Sequence, residues 1–461
     1  MPQQIPAALL SSLQTAAGFD ETAFVATHLS EKPLVSIRMN PGKYRAGILD
    51  GNPAFIIESA VPWSSNGFYL EQRPSFTLDP LFHAGVYYVQ EASSMFLEEA
   101  IRQSCDLAQP MRVLDLCAAP GGKSTLIQAI ISNESLLVSN EVIKARANIL
   151  VENIIKWGAA NVVVTNNDPA DFQRLPEFFD LLVVDAPCSG SGLFRKDPGA
   201  IDEWSLNNVA LCKERQQRIL SDVMDTLRPG GTLVYSTCSY SLEEDEQVCD
   251  WLMATHPLET YPLLVPEDSG IVETISSKHR AYGYRFYPDK VQGEGFFIAV
   301  FKKKGEGFQQ KEIKARVKPA LLSKPAIETV HPYIQNPGNY AFIQWKEEVL
   351  AIPSSIYNAF LNLQATLYIK KAGIKMGTII RNELVPDHEL ALSVASTANL
   401  PGVEVDMVTA LDFLRRNDIK INADARGWAT IKYRNVAIGL VKILPNRINN
   451  YYPREWRILN K

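Results

Sequence analysis

Between residues 112 and 238, five short apolar runs, RVLDLC, SLLVSNEV, NVVVTNND, DLLVVDAPC and GTLVYSTC, alternate with helical stretches such as GGKSTLIQAIIS, KARANILVENIIKWG and SLNNVALCKERQQRILSDVMDTLR. Runs of valine and leucine too short for a helix mark strands buried on both faces, and such strands separated by helices build a parallel sheet covered on both sides. The segment RAYGYRFYPDKVQGEGFFIAVFKKK reads as a hairpin closing that sheet. An α/β unit is expected over residues 86–304. In such a sheet, ligands bind beyond the carboxyl ends of the strands, so chemistry is sought there.

Around this unit the pattern changes. Residues 1–85 combine a short helix near AALLSSLQTAA with a strand in PLVSIRMNP, which suggests a small N-terminal α/β segment. A lysine-rich link opens a region expected over 305–385, and 386–461 reads as a compact β-rich module with strands in GWATIKYR and NVAIGLVKIL. The chain has no run of about 18 apolar residues and no secretory pattern in MPQQIPAALLSSLQ, so no membrane association is expected and the cytoplasm is the expected compartment. Six cysteines without a Cys-x-x-Cys pair suit a reducing compartment and predict no metal site. Net charge is −5, yet Lys302 to Lys304, KEIKARVKPALLSK and a C-terminal tail mixing Arg and Lys with Tyr433, Tyr451, Tyr452 and Trp456 form basic, aromatic patches of the kind that meet phosphates and bases. The tryptophans are assigned to cores or interfaces.

Every strand of the sheet ends in a residue with chemical capability: Asp115 and Cys117, Glu141, Asp168, Asp185 with Cys188, and Cys238. The first turn, DLCAAPGGKST, places small residues and two glycines where helix-start N–H groups can approach a ligand. It is not a P-loop, because Cys117 stands where that motif requires glycine, and Gly-x-Gly-x-x-Gly is absent. Glu141, about twenty residues past the glycines, suits ribose hydroxyls, and Asp168 suits the adenine side. These features favour a nucleoside cofactor without an essential polyphosphate, such as S-adenosyl-L-methionine. Cys188 and Cys238 each lie just past a strand and are expected to face one crevice. Ser241 with Glu244 matches a capping box, so a helix is expected right after Cys238, with the acidic run Glu243 to Glu246 facing solvent.

Taken together, DLCAAPGGKS, DAPCSGSG and YSTCSYS resemble the RNA 5-methylcytosine methyltransferase family, in the family's order and with comparable separation. GFYLEQRPSFTLDPLFHAGVYYVQEASSM and the basic C-terminal extension are similar to its bacterial members acting on small-subunit rRNA. The resemblance implies a Rossmann-like S-adenosylmethionine-dependent methyltransferase domain followed by a PUA-like RNA-binding module. It implies that Cys117, Ala118, Ala119, Pro120, Gly121, Gly122 and Lys123 form the cofactor loop, that Glu141 binds ribose, and that Asp168 lies at the adenine. Asp185 would sit between cofactor and target base, Cys238 would be the nucleophile, and Cys188 the second cysteine, which releases product. The implied partner is 16S rRNA, within the small ribosomal subunit or its precursor; the sequence does not give the oligomeric state, with a monomer favoured. A tRNA substrate and a noncatalytic RNA-binding assembly factor are the alternatives. Arg195 and Lys196, after the Cys188 loop, read either as phosphate contacts or as solvent-facing charges.

Overall fold

The computed structural model describes residues 5–30, 34–49, 55–305, 320–421 and 426–459. Its first sheet is antiparallel, in the order β2-β3-β1-β4, from β1 (Val35–Met39), β2 (Ile57–Ala60), β3 (Gly67–Leu70) and β4 (Tyr87–Val89). All five residues of β1 are buried, Arg38 among them. The Arg38 guanidinium donates to Gln90 Oε1 (2.9 Å), Thr125 Oγ1 (2.6 Å) and the carbonyls of Gly122 and Thr125 (both 3.3 Å), and it lies over the Trp157 ring. Neutral acceptors therefore satisfy a cation that burial pushes down to about 9. The consequence is mechanical: the N-terminal sheet is fastened to the first turns of the helix Gly122–Ile130.

The five apolar runs form parallel strands β5 (Arg112–Asp115), β6 (Leu136–Asn140), β7 (Val162–Thr165), β8 (Phe179–Asp185) and β9 (Leu227–Thr237). After β7 the chain returns to the other side of β5, so the order β9-β8-β5-β6-β7 reverses between β5 and β8, which places the ligand crevice there. Alternate residues of one strand enter different cores. Leu114, Leu182 and Leu233 pack on one face, whereas Val113, Leu181 and Val234 pack on the other. Beyond β9 come β10 (Leu258–Thr260), β11 (Val272–Ile275), β12 (Tyr282–Phe286) and β13 (Phe296–Lys303), with β12 and β13 forming the antiparallel hairpin that closes this side.

The opposite edge is covered from far away in sequence. The region after the link forms β14 (Tyr340–Trp345), β15 (Glu348–Pro353), β16 (Ile369–Ala372), β17 (Ile374–Ile380) and β18 (Glu383–Pro386), and β16 leaves its neighbours to pair antiparallel with β7. Ile343, Ile352, Phe360 and Leu363 share one buried cluster with the catalytic strands. The last module is a four-stranded sheet of β19 (Gly402–Glu404), β20 (Gly427–Tyr433), β21 (Val436–Leu444) and β22 (Arg447–Asn450), packed by the helix Met407–Arg415.

Two expectations about the basic patches change. Lys302 and Lys303 spend their ammonium groups inside the fold, on the Ser104 and Leu227 carbonyls among others, because β13 carries them against the ends of neighbouring segments. Tyr452 is fully buried, and it and Trp456 pack around His388 at 5.3 and 5.4 Å. A buried Tyr452 presents no face for a base to stack on. Residues 311–319 of KEIKARVKPALLSK lie outside the described residues. Trp63, Trp157 and Trp204 are core residues.

Candidate active site

β5 ends at Asp115, and the chain passes Leu116, Cys117, Ala118, Ala119, Pro120 and Gly121 before its helix begins at Gly122. Gly121 has φ +120°, a conformation that favours glycine and turns the loop back over the strand end. The first N–H groups of that helix have no intrahelical acceptor and give the crevice a positive wall. Asp115 is fully buried. Its Oδ2 accepts from Ser124 Oγ at 2.6 Å, its Oδ1 has no partner, and burial pushes the carboxyl up to about 7. Burial likewise keeps the Cys117 thiol protonated.

Glu141 follows β6 directly. One of its oxygens accepts from the Ile143 N–H (2.8 Å) and the other faces Arg146 (3.4 Å), which also donates to the Ala119 carbonyl (2.8 Å). Arg146 thus bridges the first loop to the acid. Asn140 does similar work: it donates to Leu116 O (3.2 Å) and Asn167 O (3.0 Å) and accepts from Thr165 Oγ1 (2.9 Å) and Asn167 N (3.1 Å). Every site on its amide is used, so three strand ends are held in one register. Sequence reasoning missed Arg146 and Asn140, although both neighbour Glu141. Asp168, after β7, caps the turn Pro169–Arg174 through the Ala170 N–H (3.1 Å) and stands 3.8 Å from Arg218.

The two thiols come together. β8 and β9 pair with Asp185 opposite Ser236, which carries Cys188 and Cys238 past the sheet on adjacent strands, with their sulfurs 3.1 Å apart. Hydrogen bonding to Cys238, reinforced by burial, raises the Cys188 thiol well above its ordinary range. Beside them Lys123 Nζ meets Asp185 Oδ2 at 2.7 Å, and Ser236 Oγ donates to Asp185 Oδ1 at 2.8 Å. Burial opposes the charge on Lys123, but the Asp185 carboxylate outweighs it and holds the ammonium above its usual range. Gly192 lets the two loops close up, since its N–H donates to Cys238 O (2.9 Å) and a Cβ there would lie 2.5 Å from Gly295 O and 2.8 Å from Cys238 O.

The acidic run after Cys238 behaves differently from expectation. No capping box forms at Ser241; the helix begins at Glu246, and Glu244, Asp245 and Glu246 are buried. Arg285, 1% exposed, draws two of them inward, with Nε on Glu246 Oε1 (2.6 Å) and Nη2 3.1 Å from Asp245. Glu244 instead accepts from Ser189 N (2.8 Å), Ser189 Oγ (2.5 Å), Ser239 Oγ (2.7 Å) and Gln216 Nε2 (3.2 Å). It ties the residue after one thiol to the residue after the other. Arg195 turns inward as well, 3.7 Å from Glu294, while Lys196 is exposed.

Residues 105–302 match the family model of 16S rRNA methyltransferase RsmB/F, residues 5–92 that of the N-terminal domain of 16S rRNA methyltransferase RsmF, and residues 401–458 that of the RsmF PUA domain. The ribosomal RNA small subunit methyltransferase F of Vibrio cholerae serotype O1 is 32% identical over 414 residues, covering 86% of this chain and 85% of its own length. Its namesake in Aeromonas salmonicida is 31% identical over 445 residues, covering 91% and 90%. The chain belongs to the 16S rRNA methyltransferase RsmB/F family. Among solved structures, a methyltransferase homologue from Pyrococcus horikoshii has 28% identity and a TM-score of 0.51, covering 65% of this chain and 100% of that one. NSun6 from the same organism, solved with SFG, shares the fold at 18% identity and a TM-score of 0.55, covering 66% and 100%.

Membership in the RsmB/F family makes this protein an S-adenosylmethionine-dependent RNA methyltransferase, with the α/β methyltransferase fold and C-terminal PUA module expected from its sequence. The strand ends suit a cationic sulfonium carried on a nucleoside: the acids Glu141 and Asp185 stand there beside Asp115, whose Oδ1 is buried without a partner. Among the described residues, no group of three or more His, Cys, Asp or Glu is placed to hold a metal ion, and no helix is long and apolar enough to cross a membrane.

Proposed function

We propose that this protein methylates carbon 5 of a cytosine in 16S rRNA, in the small subunit or its precursor, through a covalent bond to Cys238. The observation that carries the reading is the pair of sulfurs 3.1 Å apart at the ends of adjacent strands, beside the Lys123–Asp185 ion pair. Binding RNA needs neither thiol. In this reading Cys117 to Lys123 wall the cofactor, Glu141 takes the ribose hydroxyls, Asp168 lies at the adenine, and Asp185 stands between cofactor and base. The bound cofactor supplies an electrophilic methyl group.

Carbon 5 of cytosine is a poor nucleophile until a thiolate adds at carbon 6. The Cys238 sulfur forms that bond, and the ring double bond moves its electron pair to carbon 5, which takes the methyl group as that group's bond to the sulfonium sulfur breaks and leaves a neutral thioether. Asp185, oriented by Ser236 and Lys123, faces the ring edge and steadies the adduct. A base then removes the proton left on carbon 5, the double bond returns, and the carbon–sulfur bond breaks to release Cys238. Cys188 is suited to that base role by a change in its surroundings. Its proton is held first by the hydrogen bond to Cys238. Once Cys238 is bonded to carbon, its sulfur no longer carries the charge that held the proton, so Cys188 releases that proton to solvent and its thiolate takes the one on carbon 5. The base must leave any stack to reach these groups, so the target is single-stranded or flipped out.

Two variants test the scheme. Cys238→Ala should abolish methyl transfer from labelled S-adenosylmethionine to 16S rRNA while cofactor binding survives; retained turnover would remove the covalent step. Cys188→Ala should accumulate a protein–RNA species that survives denaturing electrophoresis, and a variant that turns over freely would take away its release role. Bisulfite sequencing of rRNA from cells with and without the protein identifies the cytosine.

A further inference from the structure

On the edge of the catalytic sheet away from Cys238, the N-terminal segment, the region after β18 and the PUA module meet around a groove of about 720 Å³. Connectivity fixes its position. The helix Lys144–Trp157 starts next to Glu141 at the carboxyl end of β6 and runs 14 residues, about 20 Å, to Gly158 near the amino end of β7. There Val394 N and Ser393 Oγ donate to Gly158 O (3.1 and 3.3 Å), and Asn40 donates to Trp157 O (2.9 Å). The segment around Lys43 to Ile48 forms one wall and the β20–β21 turn the other, pinned together by Arg434 Nη1 on Ile48 O at 2.7 Å.

Four cations line this groove, Lys43, Arg45, Lys432 and Arg434, and among the described residues no carboxylate does. They divide the work. Lys43 is buried, with its ammonium on Ala84 O (2.7 Å) and Lys156 O (2.6 Å), and together with Arg434 it builds the walls. Arg45 is exposed, with one nitrogen on Tyr44 O (2.7 Å), and Lys432 is half-exposed. Their remaining donors stand at the mouth, where Ser396 and Thr397 add hydroxyls. A groove whose mouth carries two cations and two hydroxyls, with no carboxylate among its described lining residues, fits a sugar–phosphate backbone.

We infer that this groove holds the backbone of the RNA substrate, as a contact region separate from the catalytic crevice. The inference rests on the RNA-methylating activity and adds to it a place for flanking sequence. The contact lies outside the pocket that the cytosine enters. It supplies affinity and register, and takes no part in the chemistry.

The test uses the full chain and in vitro transcribed 16S rRNA, with binding measured between 50 and 200 mM salt. The double variant Arg45→Glu/Lys432→Glu should bind at least about tenfold more weakly at low salt, and the slope of log affinity against log salt should flatten by about 1.4–1.8, the loss of two phosphate contacts. Arg45→Gln/Lys432→Gln should move the same way by less, and Lys278→Glu, on the turn between β11 and β12, should leave the slope as it is. S-adenosylhomocysteine binding by calorimetry verifies each variant's fold. Unchanged affinity and slope in variants that bind S-adenosylhomocysteine normally would overturn the groove and leave the enzyme's RNA reading standing. A wild-type chain with no salt-dependent RNA binding would overturn both. Displacement of polyglutamate, but not of RNA, by the charge reversals would assign the groove to an acidic protein segment instead.

Discussion

Glu244 accepts three hydrogen bonds from the loops that carry Cys188 and Cys238 and a fourth from Gln216 on the helix Leu206–Val223, and no cation is among the donors. Burial raises its carboxyl above the ordinary value, and the serine and backbone donors offset part of that rise. It is a positioning residue, acting on the sulfurs through Ser189 and Ser239. Replacing it by glutamine keeps one oxygen for the Ser189 N–H and Gln216 but sets an NH₂ group against Ser189 Oγ and Ser239 Oγ, which must both give up the donor role they have now. Glu244→Gln should therefore lower kcat by roughly 10–100-fold, the scale of a displacement near 1 Å at reacting groups, while KM for RNA and affinity for S-adenosylhomocysteine stay near wild type. A loss confined to thermal stability, with kcat intact, would contradict this role. The thiols themselves were legible in the sequence because the strand-end rule places them without any knowledge of packing. Glu244 was not, because Ser241 and Glu244 satisfy a local capping pattern and the groups that override it, Ser189 and Arg285, lie 55 and 41 residues away.

At the scale of elements, β16 completes the methyltransferase sheet by pairing Ile369 with Thr165 and Ala372 with Val163. Without it β7 would be an edge strand of valines with unpaired N–H and C=O groups, a surface that invites pairing with other chains. A fragment ending at Gly305 would also lose Phe360 and Leu363 from the shared core. Such a fragment should aggregate or run as mixed oligomers in size-exclusion chromatography, and a monodisperse, cofactor-binding fragment would show that the sheet is self-sufficient. The five parallel strands were readable from their apolar runs, and so was the hairpin of β12 and β13. The partnership of β7 with β16 had no local signature: antiparallel pairing across about two hundred residues is selected by the packed whole. Arg38 shows the same limit, since nothing in PLVSIRMNP says that its one cation faces inward toward a helix start.

Across the whole molecule, the net charge of −5 conceals how the ionisable groups are spent. Several lysines cap carbonyls, Arg285 neutralises buried acids, and Asp115 is left with one oxygen unmatched. The Asp115 carboxyl holds its proton up to about 7 when folded, against 3.8 when free. Folding thus binds a proton between those values, so the stability linked to this group is complete below about 3.8 and is lost as pH rises through 7. Asp115→Asn removes the titration. Its stability relative to wild type, measured by urea unfolding of the cofactor-free protein, should improve by about 2–3 kcal/mol between pH 5 and pH 8. A difference that does not change with pH would mean that Asp115 titrates normally.

The late origin of β16 also sets a schedule for biosynthesis. A nascent chain that has emerged through Thr165 carries β7 with no strand on its outer side, and its partner is translated about two hundred residues later, roughly 10–40 s at ordinary elongation rates. For that interval the half-built enzyme offers an open valine ladder to its surroundings, a period in which a chaperone has something to protect.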